Sequence, residues 1–250
     1  MALNLLALDA SSSACSAALL LDDGAGERRC LARFAMTPRE HTRRLLPMVD
    51  EVLAEAGVVP GALDAVAFGR GPGSFTGLRI AAGAAQGLAF GLDCPLLGIS
   101  TLEALALQAH RRFDVTHVAT LIDARMNEVY AGFWRCERGV ITRLGEEAVI
   151  APERLALPKV ATGERFTAVG SGLALADGFT PAFSAGFEPL DRERENGPLE
   201  PRAEEMAWLA ARDFDAGLGQ PAHLAQPVYL RNEVAWKKTA EQRPAENQAP

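Results

Sequence analysis

Apolar residues dominate Leu3 to Leu8, broken only by Asn4, and Ala14 to Leu21, broken only by Ser16, and the short stretch Asp9-Ala10-Ser11-Ser12-Ser13 separates them. Two largely apolar runs bounded by turn residues predict a pair of buried strands. Asp22-Asp23-Gly24 marks another turn and Cys30 to Phe34 a third strand, so the chain is expected to open on a meander. The period then changes. Leu45, Leu46, Val49, Val52, Leu53 and Ala56 recur at helical spacing until Gly57. Ahead of them, Thr37-Pro38-Arg39-Glu40 has the form of a capping box with Pro38 at the first helical position. Ala62 to Phe68 predicts a strand, Thr76 to Gly91 a helix, Pro95 to Ile99 a strand, and Ser100 with Glu103 the capped start of a third helix. The resulting order is β-β-β-α-β-α-β-α.

A meander followed by βα units, whose parallel strands need helical crossovers, resembles the ribonuclease-H-like half-unit of the actin-like (ASKHA) superfold. An α/β protein of two such halves with mixed sheets should echo its first strand pair later in the chain. LLALDASSSACSAAL at 5–19 can be laid over ATLIDARMNEVYAGF at 119–133, matching Asp9-Ala10 to Asp123-Ala124. Chance remains the alternative, because apolar-Asp-turn-apolar is a common pattern. The expected divisions are a first half at 1–105, a divergent second half at 106–232 whose last helix packs back on the first, and a tail at 233–250 expected to be partly disordered, its last stretch AEQRPAENQAP being polar and proline-bearing. Within the second half, Val140 to Leu144 continues the hairpins and Glu204 to Phe214 reads as a helix. Pro152 to Pro158 and Pro181 to Pro201 read as irregular connections.

Composition narrows the class. With 250 residues and 48% apolar content, the chain can bury one large or two small cores. It has no run of about 18 apolar residues, and its start lacks the basic flank of a signal peptide, so the cytoplasm is the expected compartment and no membrane is implied. Cys15, Cys30, Cys94 and Cys136 are too scattered for a disulfide framework or a zinc site, and read as buried thiols. A net charge of −7 argues against strong nucleic-acid binding by this chain alone. Arg43-Arg44, Arg111-Arg112 and Lys237-Lys238 are too small to reverse that.

The stretch GRGPGSFTGLR at 69–79 invites a phosphate-loop reading. A Walker-type loop needs a lysine after its last glycine, whereas Gly77 is followed by Leu78-Arg79, and a dinucleotide fingerprint needs a different glycine spacing. What remains is a strand-to-helix turn capped by Ser74 or Thr76, whose helix N-terminus still favours an anion. In the helix that follows, Gly83, Gly87 and Gly91 recur every four residues, although each interior glycine costs about 1 kcal/mol relative to alanine. Such a stripe admits a close neighbour, either this chain's own first helix or sheet, or a helix of a partner.

The segments GRGPGSFTGLRIAAGAAQGLAF, LALDASSSACSAAL, HTRRLLPMVDEVL, GISTLEALA, IDARMNEVYAGFW and YLRNEVAWKK together resemble the TsaB family. That family is the non-catalytic side of the bacterial machinery for threonylcarbamoyladenosine in transfer RNA. The resemblance implies two actin-like halves and pairing with a larger catalytic paralogue, TsaD, with the ATPase TsaE joining the assembly. It implies no catalytic residue, no metal and no cofactor in the isolated chain, with ATP or ADP only at the partner interface and transfer RNA met only through the complex. The interface is expected at Arg79, Gly83, Gly87, Gly91, His41 and Arg44, and the same face is expected to form a homodimer when the chain is alone. Asp9, Ser11, Ser12 and Asp123 hold degenerate phosphate-loop positions, since neither turn carries the glycine such a loop needs beside its aspartate. His41, His110, His117 and His223 cannot form the helix-borne histidine pair of a metal-bearing paralogue. Two enzyme alternatives stay open: a phosphotransferase using Asp9 or Asp123, and, with less support, a peptidase. No G-x-S-x-G elbow occurs, and Gly73-Ser74-Phe75 is a poor substitute.

Overall fold

The computed structural model describes residues 2–159, 164–190 and 199–231. The expected tail at 233–250, and most of YLRNEVAWKK, lie outside them. The meander is β1 (Leu3–Asp9), β2 (Ala14–Asp22) and β3 (Arg28–Met36), followed by α1 (His41–Ala56), β4 (Ala65–Gly71), α2 (Phe75–Leu92), β5 (Leu96–Ser100) and α3 (Thr101–Phe113). Its sheet has the order β3-β2-β1-β4-β5. β1 runs antiparallel to β2, with Leu5 opposite Leu20, and parallel to β4, with Leu6 beside Val66.

The second half repeats this plan. β6 (His117–Arg125), β7 (Glu128–Glu137) and β8 (Val140–Arg143) form the meander, with β9 (Ala148–Ile150) on β7, and β10 (Phe166–Val169), α4 (Pro181–Ala185), β11 (Phe187–Pro189) and α5 (Ala203–Asp215) follow. The sheet order β11-β10-β6-β7-β8 is the first sheet's order read from the other edge, and β10 runs parallel to both β6 and β11. The shared strand order is the actin-like ASKHA plan.

Alternation along β1 explains the layering. Leu6 and Leu8 point into one core with Leu19, Phe68, Val52, Ala81 and Ala85, under α1 and α2. Leu3, Leu5 and Ala7 point into another with Leu20, Ala67, Met206, Ala207 and Ala210, under α5. A strand covered on both faces must be apolar throughout, which is why β1 shows no period of two. The halves interlock: α3 lies on the second sheet with Val118, Trp134 and Cys136, while α5 lies on the first. The expected division at 105 therefore falls inside α3 rather than in a linker.

Four local expectations are corrected. Thr37-Pro38-Arg39-Glu40 is not a capping box: Arg39 has φ 68°, and α1 starts at His41 behind Glu40, which makes no side-chain cap. The Thr37 backbone is committed elsewhere, its N–H donating to Ser13 O at 3.0 Å and its carbonyl accepting from Glu40 N at 3.0 Å. The strand expected from Ala62 begins at Ala65, after a turn of 3-10 helix at Pro60–Ala62. The stretch expected to be irregular from Pro181 contains α4 and β11, and β10 had no forecast at all. These short pieces are held by a phenylalanine cluster in which Phe179, Phe183 and Phe187 pack edge to face or tilted with centroids 5.0–5.8 Å apart, and Phe133 links them to Phe166, 6.4 Å from Phe183 and 5.7 Å from Phe166. Of the cysteines, Cys15 and Cys136 are buried but Cys30 and Cys94 only partly so.

Candidate functional site

Two features stand out at the end of the first sheet where β1 and β4 finish: the loop after Asp9 and the glycine-rich turn after β4. Asp9 is fully buried, and its carboxylate accepts from Ser11 N at 3.3 Å and Ser11 Oγ at 3.1 Å. Burial pushes the Asp9 carboxyl up to about 7, against the opposing pull of these hydrogen bonds. Ser12 Oγ accepts from Ala14 N at 3.1 Å, and the Ser12 carbonyl accepts from His41 Nε2 at 2.9 Å. Asp9, Ser11, Ser12 and His41 are thus one cluster.

The glycine-rich turn closes over that loop. Ser74 N donates to Ser11 O at 2.7 Å, and Ser74 Oγ caps α2 by accepting from Gly77 N at 3.3 Å. A Cβ on Gly69 would collide with the Asp9 carboxylate, one on Gly73 with the Ser11 carbonyl, and one on Gly77 with the Ala10 carbonyl. The glycines let two backbones meet where a phosphate loop would leave room for its ligand. Carbonyl oxygens face the turn, and these repel anions.

Asp123 stands in the other sheet at the corresponding position and shares none of its described partners with Asp9. It accepts from Arg125 N at 2.7 Å and from Arg125 Nη1 at 3.1 Å, at a hairpin where Arg125, Met126 and Asn127 have φ of 62°, 55° and 57°. Unlike the Asp9 loop, this turn is open to solvent, with Arg125, Met126 and Asn127 all exposed.

On α2, the buried residues Leu78, Ala81, Ala82, Ala85 and Ala89 face the sheet. Gly83, Gly87 and Gly91 are exposed, and a Cβ at any of them would meet nothing within 4 Å. The reading in which the stripe packs on this chain's own first helix or sheet is overturned. Exposed Phe90 flanks the stripe, and Arg79 lies at its N-terminal end with its guanidinium 3.3 Å from the Phe75 ring centre. Arg44 is exposed in the first turn of α1, which packs beside α2 over the same sheet. The spacing of Phe75 and Arg79, one helical turn apart, was visible in the sequence, whereas the approach of Tyr229 to both, from 150 residues later, had no local signal.

The family model of TsaD, tRNA N6-adenosine threonylcarbamoyltransferase, matches residues 35–239. The tRNA threonylcarbamoyladenosine biosynthesis protein TsaB of Escherichia coli (strain K12) is 41% identical, the match covering 94% of this chain and 98% of that relative. TsaB of Haemophilus influenzae is 42% identical, with 94% and 97% covered. Among solved structures, YeaZ from Pseudomonas aeruginosa superposes with a TM-score of 0.81 at 44% identity, over 91% of this chain and all of that one; a second structure, with the same TM-score, is described as similar to peptidase YeaZ. No helix among the described residues is long and apolar enough to cross a membrane. With a duplicated actin-like fold, a filled loop at Asp9 and similarity to these relatives over nearly their full length, the chain belongs to the TsaB family of tRNA threonylcarbamoyladenosine biosynthesis proteins.

Proposed function

We propose that this chain is a non-catalytic subunit that docks a TsaD-type paralogue through the outer face of α1 and α2, and in that form supports threonylcarbamoyladenosine formation and the binding of TsaE. The observation that carries this reading is the bare face of α2, where Gly83, Gly87 and Gly91 sit in open space. Three interior glycines weaken a helix by about 1 kcal/mol each, and a helix of a second chain lying close against them restores contact energy. Similarity to the TsaD family supports a paralogue as the occupant, because a face that pairs with its own copy about a two-fold axis can also accept a related chain. His41 and Arg44 border that face on α1, and without the paralogue the same face forms the homodimer. Any ATP or ADP is assigned to the assembled interface, and transfer RNA to the complex.

The enzyme readings are weaker. A phosphotransferase would need the Asp9 loop open, and the glycine turn fills it. A peptidase would need a base on the Ser74 hydroxyl, but the described hydrogen bond of that hydroxyl is the one it accepts from Gly77 N. Size-exclusion chromatography with light scattering, on this chain with and without the paralogue, should give a heterodimer that Gly87→Phe abolishes while leaving the thermal melt intact. Wild-type affinity in Gly87→Phe would refute the assigned face.

A further inference from the structure

Segment 220–231 leaves the end of the second half and returns along the first. Gln220 pairs with Leu96 at the edge of β5, Ala225 O accepts from Gln86 Nε2 at 2.8 Å, and Val228 N donates to Arg70 O at 2.7 Å. Arg231 then pairs with Glu128 in the second half and donates to Met126 Sδ at 3.2 Å. Tyr229 is held between these two anchors, its ring centre 5.7 Å from that of Phe75 and 5.2 Å from the Arg79 guanidinium carbon. Phe75 and Tyr229 nevertheless remain 62% and 41% exposed.

We propose that Arg79, held against Phe75 and Tyr229, is a preformed receptor for one carboxylate on the partner's docking helix, and that segment 220–231 is what builds it. The proposal rests on the docking reading above. α2 contains a single charged residue, Arg79, and no carboxylate pairs with it among the described residues, unlike Arg28, Arg33, Arg212 and Arg231. Phe75 covers one face of the guanidinium, so its N–H edge is oriented before any partner arrives and little side-chain entropy is left to lose. A lone guanidinium amid aromatic and glycine surface suits a single bidentate carboxylate; a polyanion would call for several cations. Aromatic rings with arginine are also the residues that dominate protein interfaces.

The test is titration calorimetry of the full chain against the TsaD paralogue from the same genome, at low and high salt, with melting temperatures recorded for each variant. Arg79→Lys keeps the charge but loses the planar fork, and should weaken binding about tenfold. Arg79→Glu should weaken it further, and be rescued by reversing one acidic residue on the partner's helix. Tyr229→Ala should weaken binding several-fold with an unchanged melt, and Arg79→Ala should lessen the salt dependence. Wild-type affinity in Arg79→Glu would overturn the receptor, and wild-type affinity in Tyr229→Ala the role of the segment. Absence of any complex with the wild-type chain would instead remove the docking reading itself.

Discussion

The two halves share a strand order but spend their connections differently. In the first, β3 reaches β4 and β4 reaches β5 through helices of 16 and 18 residues, which cover one face of the sheet and present an outer surface. In the second, the matching connections shrink to short 3-10 turns and the five-residue α4, and phenylalanines do the covering. The corresponding aspartates diverge in the same way. Asp9 is sealed under a glycine turn and pairs with no cation among the described residues, whereas Asp123 sits partly exposed with Arg125. Repeating a topology thus preserves strand pairing but not the sites at strand ends, because pairing depends on backbone and core pattern whereas a site depends on a few side chains and the space around them.

The contrast can be broken most severely at Gly77. Gly77→Ala drives a methyl group into the Ala10 carbonyl, where backbone faces backbone, and should cost roughly 3 kcal/mol or more in urea denaturation. Asp9→Asn comes next. The folded carboxyl at about 7 stands above an unfolded value of about 3.9, so between these limits the folded state holds a proton that the unfolded state has released. Stability therefore falls as pH rises from about 4 through about 7, and the asparagine should add roughly 1–3 kcal/mol at pH 8 while flattening this slope. Part of the slope should persist, because burial also pushes Glu205 up to about 7 and raises Glu200. Gly83→Ala, in the same helix as Gly77 but in open space, should stabilise the isolated chain by about 0.5–1 kcal/mol. Asp123→Asn should be nearly silent, under about 0.5 kcal/mol, since it removes only an exposed ion pair and keeps one acceptor for Arg125 N. Equal effects at Asp9 and Asp123 would erase the distinction between the halves.

Hydrophobic period and caps made most of the first half legible. Ser100 caps α3 where the sequence places it, Ser74 rather than Thr76 caps α2, and Gly57 closes α1 with φ 67°. The misread start of α1 shows the limit of that signal: Thr37 had the right chemistry for a cap, but its backbone was already bonded to Ser13. In the second half, β10 and β11 are four and three residues long, too short for a period to show, and exist because parallel pairing of β10 on β6 and of β11 on β10, with the phenylalanine cluster, holds them.

At the site, the sequence alone excluded a Walker loop, marked Asp9 and Asp123 as a related pair and singled out the glycines at 83, 87 and 91, all from residue types and spacings within single elements. Only the tertiary structure decided that the glycines at 69, 73 and 77 serve contact with the Asp9 loop while those at 83, 87 and 91 face solvent, and that Tyr229 returns to Arg79. The reason is physical: whether a missing Cβ is a close contact or an empty place depends on what long-range packing sets opposite it, and identical residues a few positions apart carry no mark of which they are.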